Sequence, residues 1–202
     1  MRHIAEMSEH EMVALFLKTE IESPRWGPDI VRLLERDDIA REVVDYPDIT
    51  NSNENEYRLR LMGEFRGYQR NEGLFEGFPK CVAWERVALT HNELWQIKYI
   101  DYDYWIELSK GSRLAIDAAQ TISAGEVVFE VPNDGFLALA NALRCGATFP
   151  ELIVVRAGED SDLVVLEGHM RLTAYALVPE GLPKELPVVL GTSPELTRWD
   201  LY

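Results

Sequence analysis

Cysteine is nearly absent from this chain: Cys81 and Cys145 are the only two in 202 residues, far apart and without CxxC spacing. Such a pair builds neither a disulfide framework nor a cysteine zinc site. Both are expected to be reduced, with Cys145 in the core because it continues an apolar helix face. Long hydrophobic runs are also missing, and no stretch is apolar enough to span a bilayer. Met1-Arg2-His3-Ile4 leads into a charged amphipathic segment instead of a signal-peptide core, so a cytoplasmic location without membrane contact is expected. Basic residues are scarce, with 20 Lys and Arg against 35 Asp and Glu, a net charge of -15. That balance disfavours nonspecific attraction to DNA, RNA or anionic lipid, although a local basic pocket could still exist. Internal repeats, low-complexity tracts and flexible linkers are lacking as well. What remains is 47% hydrophobic and 10% aromatic residues, enough for a substantial core in one or two domains.

Read in order, the first half predicts helices. Ser8-Glu9-His10-Glu11 fits a capping box, so a helix should run from about Glu9 to Glu22. Pro28 can open the next, because its missing amide costs nothing in a first turn. Two short helices are expected through Asp45. Asn51-Ser52-Asn53 offers caps for a longer helix through Arg70, whose arginines Arg58, Arg60, Arg66 and Arg70 are read as a solvated, ion-paired face. Gly67, Gly73, Gly77, Phe75 and Phe78 make a tight aromatic connection, read as a plug for the helical layer in preference to a ligand lid. Thr90-His91-Asn92-Glu93 is a second capping box.

Tyr99-Ile100-Asp101-Tyr102-Asp103-Tyr104-Trp105 is the densest aromatic and acidic cluster. Its rings either pack the N-terminal helices together or form a surface that stacks a nucleobase, with a carboxylate as base or magnesium ligand. Beyond it, Asp117 to Ile122 predicts a short helix, Gly125 to Val131 a strand, and Phe136 to Arg144 a helix capped by Asp134 and ended by Gly146. Leu152 to Arg156 and Leu163 to Leu166 predict a hairpin across a polar loop.

The segment Leu163 to Leu177 is the richest in chemistry. An apolar strand meets Glu167-Gly168-His169, then the apolar spacing becomes helical, with Met170, Thr173, Ala174 and Leu177 on one stripe. Gly168 can adopt backbone angles closed to other residues and leaves room for a ligand to approach. Free amides of a first helical turn favour an anion. Arg171 lies in that turn, where a cation is unfavourable for the helix alone, and an exposed guanidinium there points to bound phosphate. Glu167 could hold Arg171 in place, bind magnesium or act as a base, and His169 could contact phosphate or transfer a proton.

Gly168-His169-Met170-Arg171, between the Val164-Val165-Leu166 strand and the Leu172-Thr173-Ala174-Tyr175 helix, resembles the signature turn of the ParB/sulfiredoxin-like fold. Phe136 to Gly146, Phe149-Pro150 and Leu152 to Arg156 look like that family's helix, glycine stop and first core strand, and Leu186 to Leu190 like its closing strand. The resemblance covers roughly the last third of the chain. It implies phosphates of ATP, ADP or CTP, with magnesium, at Gly168, His169, Met170 and Arg171, with Glu167 and His169 as catalytic candidates. Sulfiredoxins carry a reactive cysteine where His169 stands, which argues against that chemistry here. DNA-sliding ParB proteins have a two-arginine turn, and Met170 replaces one arginine. The order acidic residue, glycine, histidine, arginine is closest to the free serine kinases, which usually have a second histidine at the Met170 position.

These readings combine into an α+β protein, with a mainly helical N-terminal region over residues 1–112 packed on a small mixed-sheet ParB/sulfiredoxin-like domain over residues 113–202. The expected function is nucleotide phosphate binding, possible in a small-molecule phosphotransferase with a small hydroxyl substrate and a nucleotide-sized pocket between the halves. The alternative is a noncatalytic interaction module whose acidic helical half meets a protein partner and whose turn is occluded. A nuclease is a weaker third reading, since no metal-ligand spacing singles out a set of carboxylates.

Overall fold

The computed structural model describes all 202 residues, and the architecture is α+β. The helices on one side of the sheet are α1 (Glu9–Glu20), α2 (Gly27–Arg36), α3 (Glu42–Asp45) and α4 (Ser52–Arg66). The remaining helices are α5 (His91–Leu94), α6 (Asp103–Leu108), α7 (Ala115–Ser123), α8 (Asp134–Arg144) and α9 (His169–Leu177). Capping residues mark several starts as the sequence implies: both capping boxes form, at Ser8 and Thr90, Asn51 caps α4, and Pro28 opens α2. Helix α4 ends at Arg66, four residues before Arg70, with Gly67 as a left-handed C-cap at φ +88°, where any Cβ would lie 1.9 Å from the Glu72 carbonyl oxygen.

The first half is not purely helical. It supplies β1 (Arg2–Met7) and β2 (Ala83–Thr90), which join β3 (Leu152–Arg156), β4 (Val164–Glu167) and β5 (Glu185–Thr192) in one sheet. The order is β1-β2-β5-β3-β4, with β3 parallel to β5 and the other neighbours antiparallel. Strand β1 was hidden because it is an edge strand with largely exposed side chains. In β2, Trp84 to Leu89 carries Glu85 and Arg86, whose charges interrupt the apolar pattern. The expected strand over Gly125 to Val131 is instead a tight turn, with one isolated bridge between Val128 and Val131. Phe129 and Glu130 both take positive φ there, which breaks the extended run.

Strand alternation splits the interior into two cores. Ile153, Val155, Val164, Leu166 and Val189 face α1 to α4, whereas Leu152, Val154, Val165, Val188 and Leu190 face α7 to α9. The aromatic connection after α4 acts as a plug: Phe75 packs edge-on against Tyr68 and Phe78, and Phe78 against Trp199. Helix α8 begins at Asp134 itself, with Asn133 in the capping position and making no side-chain cap bond. Cys145 is exposed, not in the core, because it sits past the last turn of α8 as its C-cap. No helix is long and apolar enough to cross a membrane.

Candidate functional site

The turn from β4 into α9 lies where the helical layer of the first half meets the end of the sheet. Gly168 has φ +104°, which allows the sharp change of direction from strand to helix. The space above its Cα is not open. A Cβ there would lie 2.5 Å from Leu152 Cδ2 and 2.9 Å from Arg171 Nη2. Glycine is therefore required by close packing of the chain's own side chains.

Arg171 is 8% exposed, so the expected exposed guanidinium is turned inward. It pairs with Glu167 one helical turn back, and Nη2 also reaches the Glu151 carbonyl at 3.4 Å. Carboxylate compensation is what permits a cation in the first turn of α9, where the helix dipole opposes it. Burial pushes the Glu167 carboxyl above its ordinary range, while Arg171 pulls it back. Met170, expected on the buried stripe, is 41% exposed; the buried set of α9 is Arg171, Leu172, Thr173, Ala174 and Tyr175. The stripe is displaced because α9 is covered by both α7 and α8.

His169 is held by aromatic stacking. Its ring lies 4.9 Å from that of Trp105 at 23°, and Trp105 in turn stacks on Tyr99 at 4.7 Å. The Tyr99 hydroxyl and Thr173 Oγ1 are 2.6 Å apart, and the Thr173 hydroxyl donates to the His169 carbonyl at 2.8 Å. Trp105 packs against both cores, so the aromatic cluster serves mainly as the pillar between the layers. Asp101 and Asp103 stay exposed, and Asp101 faces Arg113 at 3.6 Å. Burial, with Arg66 and then Arg171 nearby, lowers the His169 pKa to about 3, so its imidazole is neutral at physiological pH.

Two residues from the helical layer complete the cluster: Glu20, which did not stand out in the sequence, and Arg66, which the sequence placed on a solvated, ion-paired face. Glu20, in the last turn of α1, is buried, and desolvation followed by the charge of Glu167 raises its pKa to about 7. Arg66, in the last turn of α4, lies 4.4 Å from the ring centroid of Trp26. Desolvation lowers its pKa, and it is in electrostatic reach of Glu20, Glu167 and His169. The one available signal was that both end helices whose apolar faces pack on each other, α1 and α4. Their meeting with β4 is a tertiary event. The solvated arginine face is likewise only partly realised. Arg60 is exposed and pairs with Asp37, whereas Arg58 is fully buried and donates to the carbonyls of Val43 and Asp48 at 2.9 Å.

Several buried polar atoms in this region have no partner: Arg66 Nε, Arg171 Nε, His169 Nε2 and Tyr104 Oη. The amides of His169, Met170 and Arg171 also donate to nothing, the first α9 bond being Leu172 N to Gly168 O at 2.8 Å. Buried unpaired donors are costly, and their concentration around one helix start suits an acceptor-rich anion. No three His, Cys, Asp or Glu side chains converge to hold a metal, and Glu167 is committed to Arg171. The turn's own side chains therefore supply no ligand set for magnesium. No protein-family model, curated protein or solved structure matches the chain.

Proposed function

We propose that the β4–α9 turn binds the phosphate of a nucleotide, with the amides of His169 to Arg171 and the Arg171 guanidinium as donors. The observation that carries this reading is the coincidence of three uncommitted amides with the buried Arg171 side chain, whose Nε has no partner. A phosphate oxygen accepts from both kinds of donor and would compete with Glu167 for Arg171. The ParB/sulfiredoxin-like resemblance of Gly168 to Arg171 supports the same assignment. A small hydroxyl acceptor, as in the serine kinases, is the substrate class to screen once binding is established.

A second reading keeps the fold without the ligand: a noncatalytic module that meets a protein partner through its acidic helical half. The inward Arg171–Glu167 pair and the filled space over Gly168 favour it, since they close the turn. Calorimetric titration of ATP, ADP and CTP with magnesium separates the two. The variants are Glu167→Gln, which releases Arg171, and the double variant Glu167→Gln with Arg171→Ala, which removes the guanidinium without stranding a carboxylate. Phosphate binding predicts affinity in wild type, tighter in Glu167→Gln and lost in the double variant. Absence of binding to folded wild type and folded Glu167→Gln overturns the nucleotide reading and leaves the interaction module.

A further inference from the structure

Arg66 is the anomaly of the charged network. Every other arginine that is not exposed has a partner: Arg58 holds main-chain carbonyls, Arg86 holds Glu151, Arg113 holds the Tyr99 carbonyl, Arg156 holds Thr192, and Arg171 holds Glu167. Arg66 has neither a hydrogen bond nor an ion pair within 4 Å, in a chain with 35 acidic residues. Its Nε is buried and unpartnered. Its guanidinium carbon instead lies over two rings, 4.4 Å from the Trp26 centroid and 5.7 Å from that of Phe65. Trp26 is itself braced by an edge-on contact with Phe65 at 5.7 Å. A stacked guanidinium keeps its in-plane N–H groups free for an acceptor, the arrangement that suits two-pronged recognition of a phosphate.

The charged groups in electrostatic reach of this guanidinium are Glu20 of α1, Arg25 of the following loop and Glu167 of β4, and neutral His169 at the start of α9 lies within reach as well. Glu167 is already held by Arg171. The region therefore offers two donor groups, the α9 amides with Arg171 and, from the helical layer, Arg66.

We propose that Arg66 is a second anion-binding arm of this site, and that the ligand carries at least two linked phosphates, as in a nucleoside di- or triphosphate. This rests on the phosphate reading of the turn and adds to it a residue and the requirement for a second, linked phosphate. One phosphate sits on the α9 amides and the next is taken by Arg66, so the N-terminal helical layer completes the site and selects against a single phosphate.

The test is calorimetric titration of inorganic phosphate and of pyrophosphate into wild type, Arg66→Gln and Arg66→Lys, with near-ultraviolet circular dichroism as the folding control. Wild type should prefer pyrophosphate. Arg66→Gln should weaken pyrophosphate binding by about 10- to 100-fold, the worth of a charged hydrogen-bonded contact, and leave phosphate affinity nearly unchanged. Arg66→Lys keeps the charge without the planar fork and should fall between them, and it supplies the comparison if Arg66→Gln is poorly folded. A change in the ratio of the two affinities is the diagnostic, because a purely structural role would weaken both ligands together. An unchanged ratio with intact binding overturns the role of Arg66 alone. Failure of wild type to bind either ligand overturns this proposal and the phosphate reading together.

Discussion

Replacing Glu20 with Gln should stabilise the protein at alkaline pH and do little at acid pH. The Glu20 carboxyl has an ordinary pKa of 4.5 and rises to about 7 in the fold, chiefly because burial disfavours its charged form and secondarily because Glu167 repels it. A carboxyl that binds its proton more tightly when folded contributes stability below its unfolded pKa, and that stability is lost as pH rises through the folded pKa. With each pKa unit worth about 1.4 kcal/mol, the cost to wild type is about 0.4 kcal/mol at pH 4.5, about 2 at pH 6 and about 3 at pH 8. Gln has nearly the same shape as protonated Glu and cannot ionise, so it escapes this cost. Urea unfolding at pH 4.5, 6 and 8 gives the difference directly, and effects of other titrating groups cancel between wild type and variant. A difference independent of pH, or a variant less stable than wild type at pH 8, would refute the claim that burial and Glu167 outweigh the more distant arginines at Glu20.

Other perturbations probe the same region. Gly168→Ala should cost about 2–5 kcal/mol by urea unfolding, combining left-handed backbone strain with overpacking against Leu152 and Arg171; a loss below about 1 kcal/mol would mean that the turn relaxes freely. Arg171→Ala strands the buried Glu167 carboxylate and should cost about 3–5 kcal/mol, whereas the double variant with Glu167→Gln should be clearly more stable than the single one; equal losses would deny the coupling. His169 has its pKa lowered from 6.5 to about 3, so its contribution to stability is complete above 6.5 and is lost as pH falls toward 3. Between pH 8 and pH 5 wild type should lose at most about 2 kcal/mol through this residue, a loss that His169→Asn should not show in the same titration. Both Cys81 and Cys145 are exposed, so two thiols should react with a colorimetric disulfide reagent in the native state, and slow modification only on unfolding would contradict the fold at the end of α8.

Much of the architecture could be read locally. Ser8, Asn51 and Thr90 mark helix starts because their side chains accept bonds from first-turn amides, and this depends on neighbours three residues away. The apolar runs around Val154, Val165 and Val188 announce buried strands for a similar reason, since burial on both faces demands continuous hydrophobic residues. The turn at Gly168 was legible from its break in periodicity. Strands β1 and β2 were not, because exposed edge positions and the Glu85-Arg86 pair erase the alternating pattern while main-chain pairing, invisible in side-chain pattern, holds them in the sheet.

The sequence by itself determined that an acidic α+β chain carries Glu167, Gly168, His169 and Arg171 at a strand-to-helix junction. Only the tertiary structure decided that Arg171 points inward to Glu167, that Trp105 and Tyr99 clamp His169, and that Glu20 and Arg66 arrive from helices more than a hundred residues away. The physical reason is that a charge's role depends on which partners share its low-dielectric surroundings, and those are chosen by the packing of α1 and α4 against the sheet, not by neighbours along the chain.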